Sequence, residues 1–111
     1  MDAVNRNIHL LLNAIQKSDV YRTYKKQEAI LEKDPELAER VQHFRADNFR
    51  LQNEERGNLI QDAEQLAHES AELRRNPEVN AYLDAELALC RMMQQICKTL
   101  TDGIEIKIPE I

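Results

Sequence analysis

The feature that most constrains this chain is an unbroken heptad pattern of apolar residues towards its C-terminus. The pattern follows Asn76 and Pro77, a helix-capping residue and a proline suited to the first turn of a helix. Because apolar residues spaced alternately by three and four lie on one helix face, it predicts a long helix with a broad apolar stripe. Such a stripe must be covered by other helices or by another copy of the chain. Its positions are Val79, Tyr82, Leu83, Glu86, Leu89, Cys90, Met93, Ile96, Cys97 and Leu100.

Length and composition predict one small all-α domain. The chain has 111 residues, with only two glycines and three prolines to make the many turns of an all-β protein. Charged residues make up 32% and hydrophobic ones 42%, a balance that suits amphipathic helices better than disorder. Aromatic residues reach only 5%, so a monomer would have a thin aliphatic core that burial between subunits would enlarge. We expect a helical domain over residues 1–103.

Start and stop signals predict four or five helices, arranged as antiparallel hairpins or a bundle. The first covers about residues 3–16, Ser18 is suited to cap the second, and Asp34 with Pro35 to open the third. Beside Gly57 the apolar pattern shifts by one residue, which favours a break between the third and fourth helices. One long, locally distorted helix is the alternative.

The C-terminal end predicts a helix stop followed by an extended arm. Asp102 and Gly103 close the heptad helix, and residues 104–109 then alternate apolar and charged side chains until Pro109. Residues 104–111 are too few to fold alone. We expect this arm to pair with its counterpart in another copy, lie on the helices, or engage a partner.

Charge and motifs argue against several classes of protein. A net charge of −5 disfavours direct nucleic-acid binding. The sequence has no glycine-rich phosphate loop and no G-x-S-x-G element, so we do not predict an enzyme. The apolar run at residues 8–12 is too short to span a bilayer and lacks the basic lead of a secretory signal. A cytoplasmic protein without membrane insertion is expected.

Histidine and glutamate give only a weak metal signal. His68 and Glu69 begin like the H-E-x-x-H zinc motif, but Glu72 stands where the second histidine is needed. Glu64, His68 and Glu72 do share a helix face, an arrangement more typical of an exposed charge ladder. No metal ligand and no cofactor are predicted from these residues.

Two cysteines fall in the heptad stripe. Cys90 and Cys97 lie seven residues apart, a rise of about 10 Å on a helix, beyond the roughly 7 Å between Cα atoms that a disulfide tolerates. An intrachain disulfide is therefore excluded if the helix forms. A packing role is favoured. The alternative is a redox module, in which the cysteines of two chains hold a metal or iron–sulfur cluster.

The three tyrosines are candidate anchors. Tyr21 and Tyr24 lie three apart near the start of one helix, and Tyr82 near the start of another. We expect their rings to pack with the hydroxyl groups reaching water. Because tyrosine is enriched at binding hot spots, a partner-binding role for Tyr21 and Tyr24 is the alternative.

Two segments resemble the bacterial YlbF/YmcA family. Ser18–Tyr24 matches the pattern S-x-x-Y-x-x-Y, and Asn76–Glu86 matches a later element that is followed by leucines and a closing isoleucine. The order of the elements also agrees: a short first helix, an Asp-Pro break, a helix bearing Phe44, then the Asn-Pro helix. The resemblance extends from about residue 3 to the tail.

The resemblance implies small all-α subunits that associate with themselves or with relatives. Such proteins are cytoplasmic regulators in Firmicutes, needed for competence, sporulation and biofilm formation. They act as a complex that adjusts the membrane-anchored endoribonuclease RNase Y, and iron–sulfur clusters have been attributed to that complex. This sequence ends at Ile111 without a cysteine-rich tail, and its junction around Gly57 is shorter. Both departures count against a cluster-bearing role.

We therefore expect a non-catalytic adaptor that forms a homodimer or higher oligomer and binds a protein partner. Glu86 within the stripe should lie at its edge or pair with a basic residue, such as Arg91 or Lys98, from a neighbouring helix. An RNA-binding adaptor is disfavoured by the isoelectric point of about 5.2. The predicted self-association and partner-binding residues are Val79, Tyr82, Leu83, Glu86, Leu89, Cys90, Met93, Cys97, Leu100, Tyr21 and Tyr24.

Overall fold

The computed structural model describes residues 2–53 and 59–104, and five α-helices make up almost all of them. The predicted all-α class is confirmed. Among these helices, none is long and apolar enough to cross a membrane. The helices are α1 (Asp2–Lys17), α2 (Asp19–Glu32), α3 (Pro35–Asn53), α4 (Leu59–Leu73) and α5 (Pro77–Asp102).

Two predicted caps begin helices as expected. Ser18 has an extended backbone, and its Oγ accepts a hydrogen bond from the backbone N–H of Tyr21 at 3.2 Å. The Asn76 side chain accepts hydrogen bonds from the backbone N–H groups of Glu78, at 2.9 Å, and Val79. Each cap satisfies N–H groups that a helix start leaves without partners, so the sequence alone fixes where α2 and α5 begin.

The link between α2 and α3 is equally local in origin. Asp34 Oδ1 accepts a hydrogen bond from the backbone N–H of Leu37, and Pro35 occupies the first position of α3. Proline is favoured there because its missing N–H would have had no partner. The predicted Asp-Pro start of the third helix is confirmed.

The remaining boundary predictions have different outcomes. α5 ends at Asp102, and the Gly103 N–H donates to the carbonyl of Thr99 at 3.1 Å, which confirms the predicted stop. The third and fourth helices are separate elements, but Gly57 lies outside the described residues. Residues 105–111, most of the predicted extended arm, also lie outside them.

The core lies where α2, α3 and α4 meet the first third of α5. α2 packs along α5, α3 packs against both α4 and α2, and α1 packs against α2. Burying each large apolar side chain of this kind contributes about 1.5–3 kcal/mol. The core cluster is Leu31, Val41, Phe44, Leu73, Val79, Tyr82 and Leu83.

The molecule is flat and open. Its principal extents are 46 × 40 × 16 Å, and its radius of gyration is 17.8 Å. A compact domain of this length would have a radius of gyration of about 13 Å. α1 and the second half of α5 therefore extend from a small core, and they set the outline of the candidate site.

Candidate interaction surface

The tyrosine of the second helix meets the tyrosine of the fifth. The ring centroids of Tyr24 and Tyr82 are 5.7 Å apart, the rings are tilted by 37°, and the hydroxyl oxygens are 3.4 Å apart. The guanidinium carbon of Arg45, on α3, lies 5.9 Å from the Tyr82 ring centroid. Such aromatic and cation–π contacts depend on geometry and add to the stabilisation that burial provides, so they favour one relative arrangement of α2, α3 and α5. Tyr82 is thus an anchor of the fold.

A carboxylate on the same helix completes this cluster. The Tyr24 hydroxyl donates to Glu28 Oε2 at 3.3 Å, and Lys25 Nζ lies 2.6 Å from Glu28 Oε1. Burial, together with the hydrogen bond to Tyr82, raises the pKa of Tyr24 well above its ordinary value. The hydrogen bond from Lys25 lowers the pKa of Glu28. At neutral pH the tyrosine therefore remains a donor and the glutamate an anion.

Glu86 pairs with a basic residue of a neighbouring helix, which was one of the two alternatives predicted from the sequence. Its partner is Arg45. The Nε atom of Arg45 on α3 lies 2.5 Å from Glu86 Oε2 on α5. This oxygen is shielded from solvent and accepts no well-aligned hydrogen bond, so the attraction is chiefly that of opposite charges. The named examples Arg91 and Lys98 were wrong, because both are on α5 and the neighbouring helix that supplies the cation is α3.

The tyrosines named from the sequence therefore separate. Tyr24 and Tyr82 meet, whereas Tyr21 is half-buried one turn earlier on α2, where its N–H is held by the Ser18 cap. Arg45 was missed by the sequence analysis. The only signal was its position beside Phe44, an apolar residue of α3, since an arginine next to a buried position can reach a neighbouring helix.

The predicted self-association residues of α5 divide into two groups. Val79, Tyr82 and Leu83 are buried within the chain's own core and are not available to another molecule in this arrangement. Beyond Glu86 the exposure rises, with Leu89 half-buried. We use the name α5 stripe for the exposed residues on the same side of the helix: Leu87, Cys90, Met93, Cys97 and Leu100.

A second apolar surface is carried by α1. The spacing of Val4, Ile8 and Leu11 by four and three residues places them on one helix face, as expected for a buried face. All three are nevertheless exposed, by 59%, 53% and 38%. Leu12 continues this face, and Ile15, half-buried near Ser18, ends it. We call Val4, Ile8, Leu11, Leu12 and Ile15 the α1 face.

A groove lies between α3, α4 and α5. Its volume is about 660 Å³, and it is lined in large part by apolar side chains, among them Phe44, Leu66 and Leu83. Leu87 and Cys90 line its mouth and also belong to the α5 stripe. The groove and the stripe therefore form one continuous apolar surface along α5.

The charged side chains of the groove wall are already paired. Arg45 is paired with Glu86, and Arg74 Nη1 lies 2.9 Å from Asp84 Oδ1 and 2.7 Å from Asn80 Oδ1. Because the opposite charges of these pairs offset one another, the groove wall is suited to an apolar surface rather than to a charged ligand.

The candidate metal-binding residues are not gathered into a site. Glu64, His68 and Glu72 are all exposed on α4. Within the part of the chain that the structure describes, no three His, Cys, Asp or Glu side chains are placed to hold a metal ion. Cys90 and Cys97 are free thiols and both are exposed. The packing role favoured for them would therefore require a second chain, and so would a shared cluster.

Comparison with known proteins gives a family match over most of the chain. The family described as control of competence regulator ComK, YlbF/YmcA, matches residues 4–105. A UPF0342 protein of Caldicellulosiruptor bescii is 27% identical over 100 residues, covering 87% of this chain and 84% of the relative. A UPF0342 protein of Caldicellulosiruptor saccharolyticus is 24% identical over 104 residues, covering 87% and 83%. No solved structure gives a significant match. The chain therefore belongs to the YlbF/YmcA family.

Proposed function

We propose that this protein is a non-catalytic cytoplasmic adaptor that self-associates through exposed helix faces and binds a protein partner. The observation that carries the proposal is the α5 stripe. The apolar heptad pattern continues for fourteen residues past Glu86, to Leu100, and the stripe residues there are exposed. Large exposed apolar surfaces on small proteins mark sites of association.

The total surface supports association. The chain has an accessible surface of 9265 Å², whereas a compact monomer of 13.0 kDa would expose about 6,300 Å². The difference reflects a flat molecule whose terminal helices extend from the core. Most of the stability of a helix in a protein comes from packing its apolar face, so a partner surface would stabilise these two helices.

The regulatory part of the proposal comes from the family. Its name refers to control of the competence regulator ComK. By resemblance, the protein acts in competence, sporulation, biofilm formation or RNase Y-dependent mRNA processing, in a complex with family members and RNase Y. The net charge of −5 favours a protein partner over direct nucleic-acid binding.

Self-association is tested by a charge placed in the α5 stripe. Met93→Asp should convert an oligomer into monomers in sedimentation velocity experiments, because burying an unpaired carboxylate costs several kcal/mol. Ala88→Asp is the matched control, since Ala88 is exposed on the opposite side of α5. A Met93→Asp variant that remains as oligomeric as the wild type would place the interface elsewhere.

The partner is tested by affinity purification. The tagged chain would be purified anaerobically from its host's lysate, beside the Met93→Asp variant. Recovery of RNase Y or sister family members in near-stoichiometric amounts would support a regulator of mRNA processing. Recovery of the chain alone would remove that part of the proposal.

A second candidate function is a redox module assembled across a dimer. It is favoured by one observation: Cys90 and Cys97 are free, exposed and on the same side of α5. Visible absorbance and bound iron after anaerobic purification, both lost in a Cys90→Ser, Cys97→Ser double variant, would support it. A colourless, iron-free protein would end it.

A further inference from the structure

We propose that the α5 stripe is covered by the α1 face of a second copy of the chain, and that the exchange is reciprocal. In this dimer α1 of each copy packs on α5 of the other, related by a two-fold axis. The inference rests on the proposed self-association and specifies which surfaces meet.

Both surfaces remain exposed within one chain. α1 packs chiefly against α2. The extended backbone of Ser18 separates the two helices. On α1, Ile8 is 53% exposed; on α5, Met93 is 41% and Leu100 56% exposed. The chain thus carries two apolar helix faces, each of which needs a partner.

The two faces match in length. From Val4 to Ile15 the α1 face extends about 17 Å, and from Leu87 to Leu100 the α5 stripe extends about 20 Å, at 1.5 Å per residue. A helix the length of α1 would therefore cover the stripe from the mouth of the groove to the end of α5. A shorter helix would leave part of the stripe in water.

The two faces also match in side-chain size. The α1 face carries branched side chains, among them Ile8 and Leu11, whereas the middle of the α5 stripe, between its two leucines, carries the small side chains of Cys90 and Cys97 and the flexible Met93. Large side chains on one helix pack best against small or adaptable ones on the other. In this packing the exposed Cys90 and Cys97 are covered by the α1 face of the second copy.

The available area favours a second copy as the occupant. The chain exposes roughly 2,900 Å² more than the 6,300 Å² or so of a compact monomer of 13.0 kDa, whereas a stable dimer buries about 800 Å² of each partner. A reciprocal exchange covers the α1 face and the α5 stripe of both chains in one closed dimer. Neither surface then remains free to bind a third copy. The alternative pairs α1 with α1 and α5 with α5 of the second copy. It would require the two-fold axis to pass beside both helices.

A complementation experiment distinguishes the two pairings. Ile8→Lys and Met93→Glu each place a charge in both interfaces of their own homodimer, so each variant alone should bind itself at least about tenfold more weakly. In an equimolar mixture, one interface of the heterodimer pairs unaltered Ile8 with unaltered Met93, and the other pairs the introduced lysine with the introduced glutamate. Sedimentation velocity should therefore detect dimers in the mixture that are absent from each variant alone.

Two controls sharpen the result. Ala88→Glu, on the opposite side of α5, should leave the wild-type dimer intact. Ile8→Glu mixed with Met93→Glu should form fewer heterodimers than the lysine mixture, because its second interface brings two carboxylates together. Far-UV circular dichroism checks that each variant keeps its helices, as expected at positions exposed in the single chain.

The outcomes separate this inference from the proposed function. More dimers in the lysine–glutamate mixture than in the mixture with Ile8→Glu support reciprocal exchange, because only this pairing brings positions 8 and 93 together. A dimeric wild type whose two variants dissociate but do not complement one another overturns the exchange and leaves self-association standing. A dimer that survives Ile8→Lys also overturns it, because α1 would then lie outside the interface. A monomeric wild type overturns both proposals.

Discussion

The first and second halves of α5 share one heptad pattern but differ in how far it is buried. From Val79 to Leu83 the stripe lies in the core, with Val79 and Tyr82 fully inaccessible to solvent. From Leu87 to Leu100 the residues of the α5 stripe are exposed, whereas Leu89 and Ile96 are half-buried. The sequence period determines which side of a helix is apolar, but the helices that reach that side decide whether it is buried. The core residues of α2, α3 and α4 cluster only with the first half.

The largest test of this contrast compares a large side chain in each half. Tyr82→Ala should lower the free energy of unfolding by about 3–5 kcal/mol, because it removes a fully buried ring together with its contacts to Tyr24 and Arg45. Met93→Ala, measured in urea at protein concentrations low enough to give monomers, should change it by less than about 0.5 kcal/mol. Equal losses would mean that the second half of α5 is packed within the single chain.

A smaller effect compares the two ends of the helix. Asn76→Ala removes the cap at the buried end and should cost about 1 kcal/mol in urea unfolding. Lys98→Ala removes the exposed ion pair with Asp102, 2.6 Å apart, at the other end and should cost no more than about 0.5 kcal/mol. A larger loss from Lys98→Ala would show that the exposed end contributes to the single-chain fold.

The smallest expected effect depends on pH. Since the hydrogen bond from Lys25 lowers the pKa of Glu28 in the folded state, the charged carboxylate stabilises the fold above the unfolded pKa of about 4.3. This contribution is lost as the pH falls through the lower folded pKa. Glu28→Gln should therefore be slightly less stable than the wild type at pH 7, by less than Asn76→Ala, and the difference should shrink below about pH 4. A difference that is independent of pH would instead reflect packing.

Much of the fold was predictable because its signals are local. Ser18, Asp34 and Asn76 start helices through hydrogen bonds to residues two or three positions away, so their effects are encoded within one turn of sequence. The segments Ser18–Tyr24 and Asn76–Glu86, on which the resemblance rests, contain two of these caps together with Tyr24 and Tyr82, whose rings meet.

The candidate site was predictable only in part because its geometry is not local. Glu86 was expected to lie at an edge or to pair with a cation, but nothing in its own helix indicated Arg45, forty-one positions earlier. The exposure of the α1 face was also not evident, since its period is that of a buried helix. Periodicity reports a face and does not report what lies opposite it.

The sequence by itself determined an all-α chain of four or five helices, the residues that begin three of them and the apolar side of each, because caps and periods act within a few residues. Only the tertiary structure decided that Val79, Tyr82 and Leu83 serve the chain's own core while Cys90, Met93, Cys97 and Leu100 remain exposed. That division depends on how far α2, α3 and α4 extend along α5. That extent is determined by contacts between residues distant in sequence, which cannot be predicted from the apolar pattern of one helix.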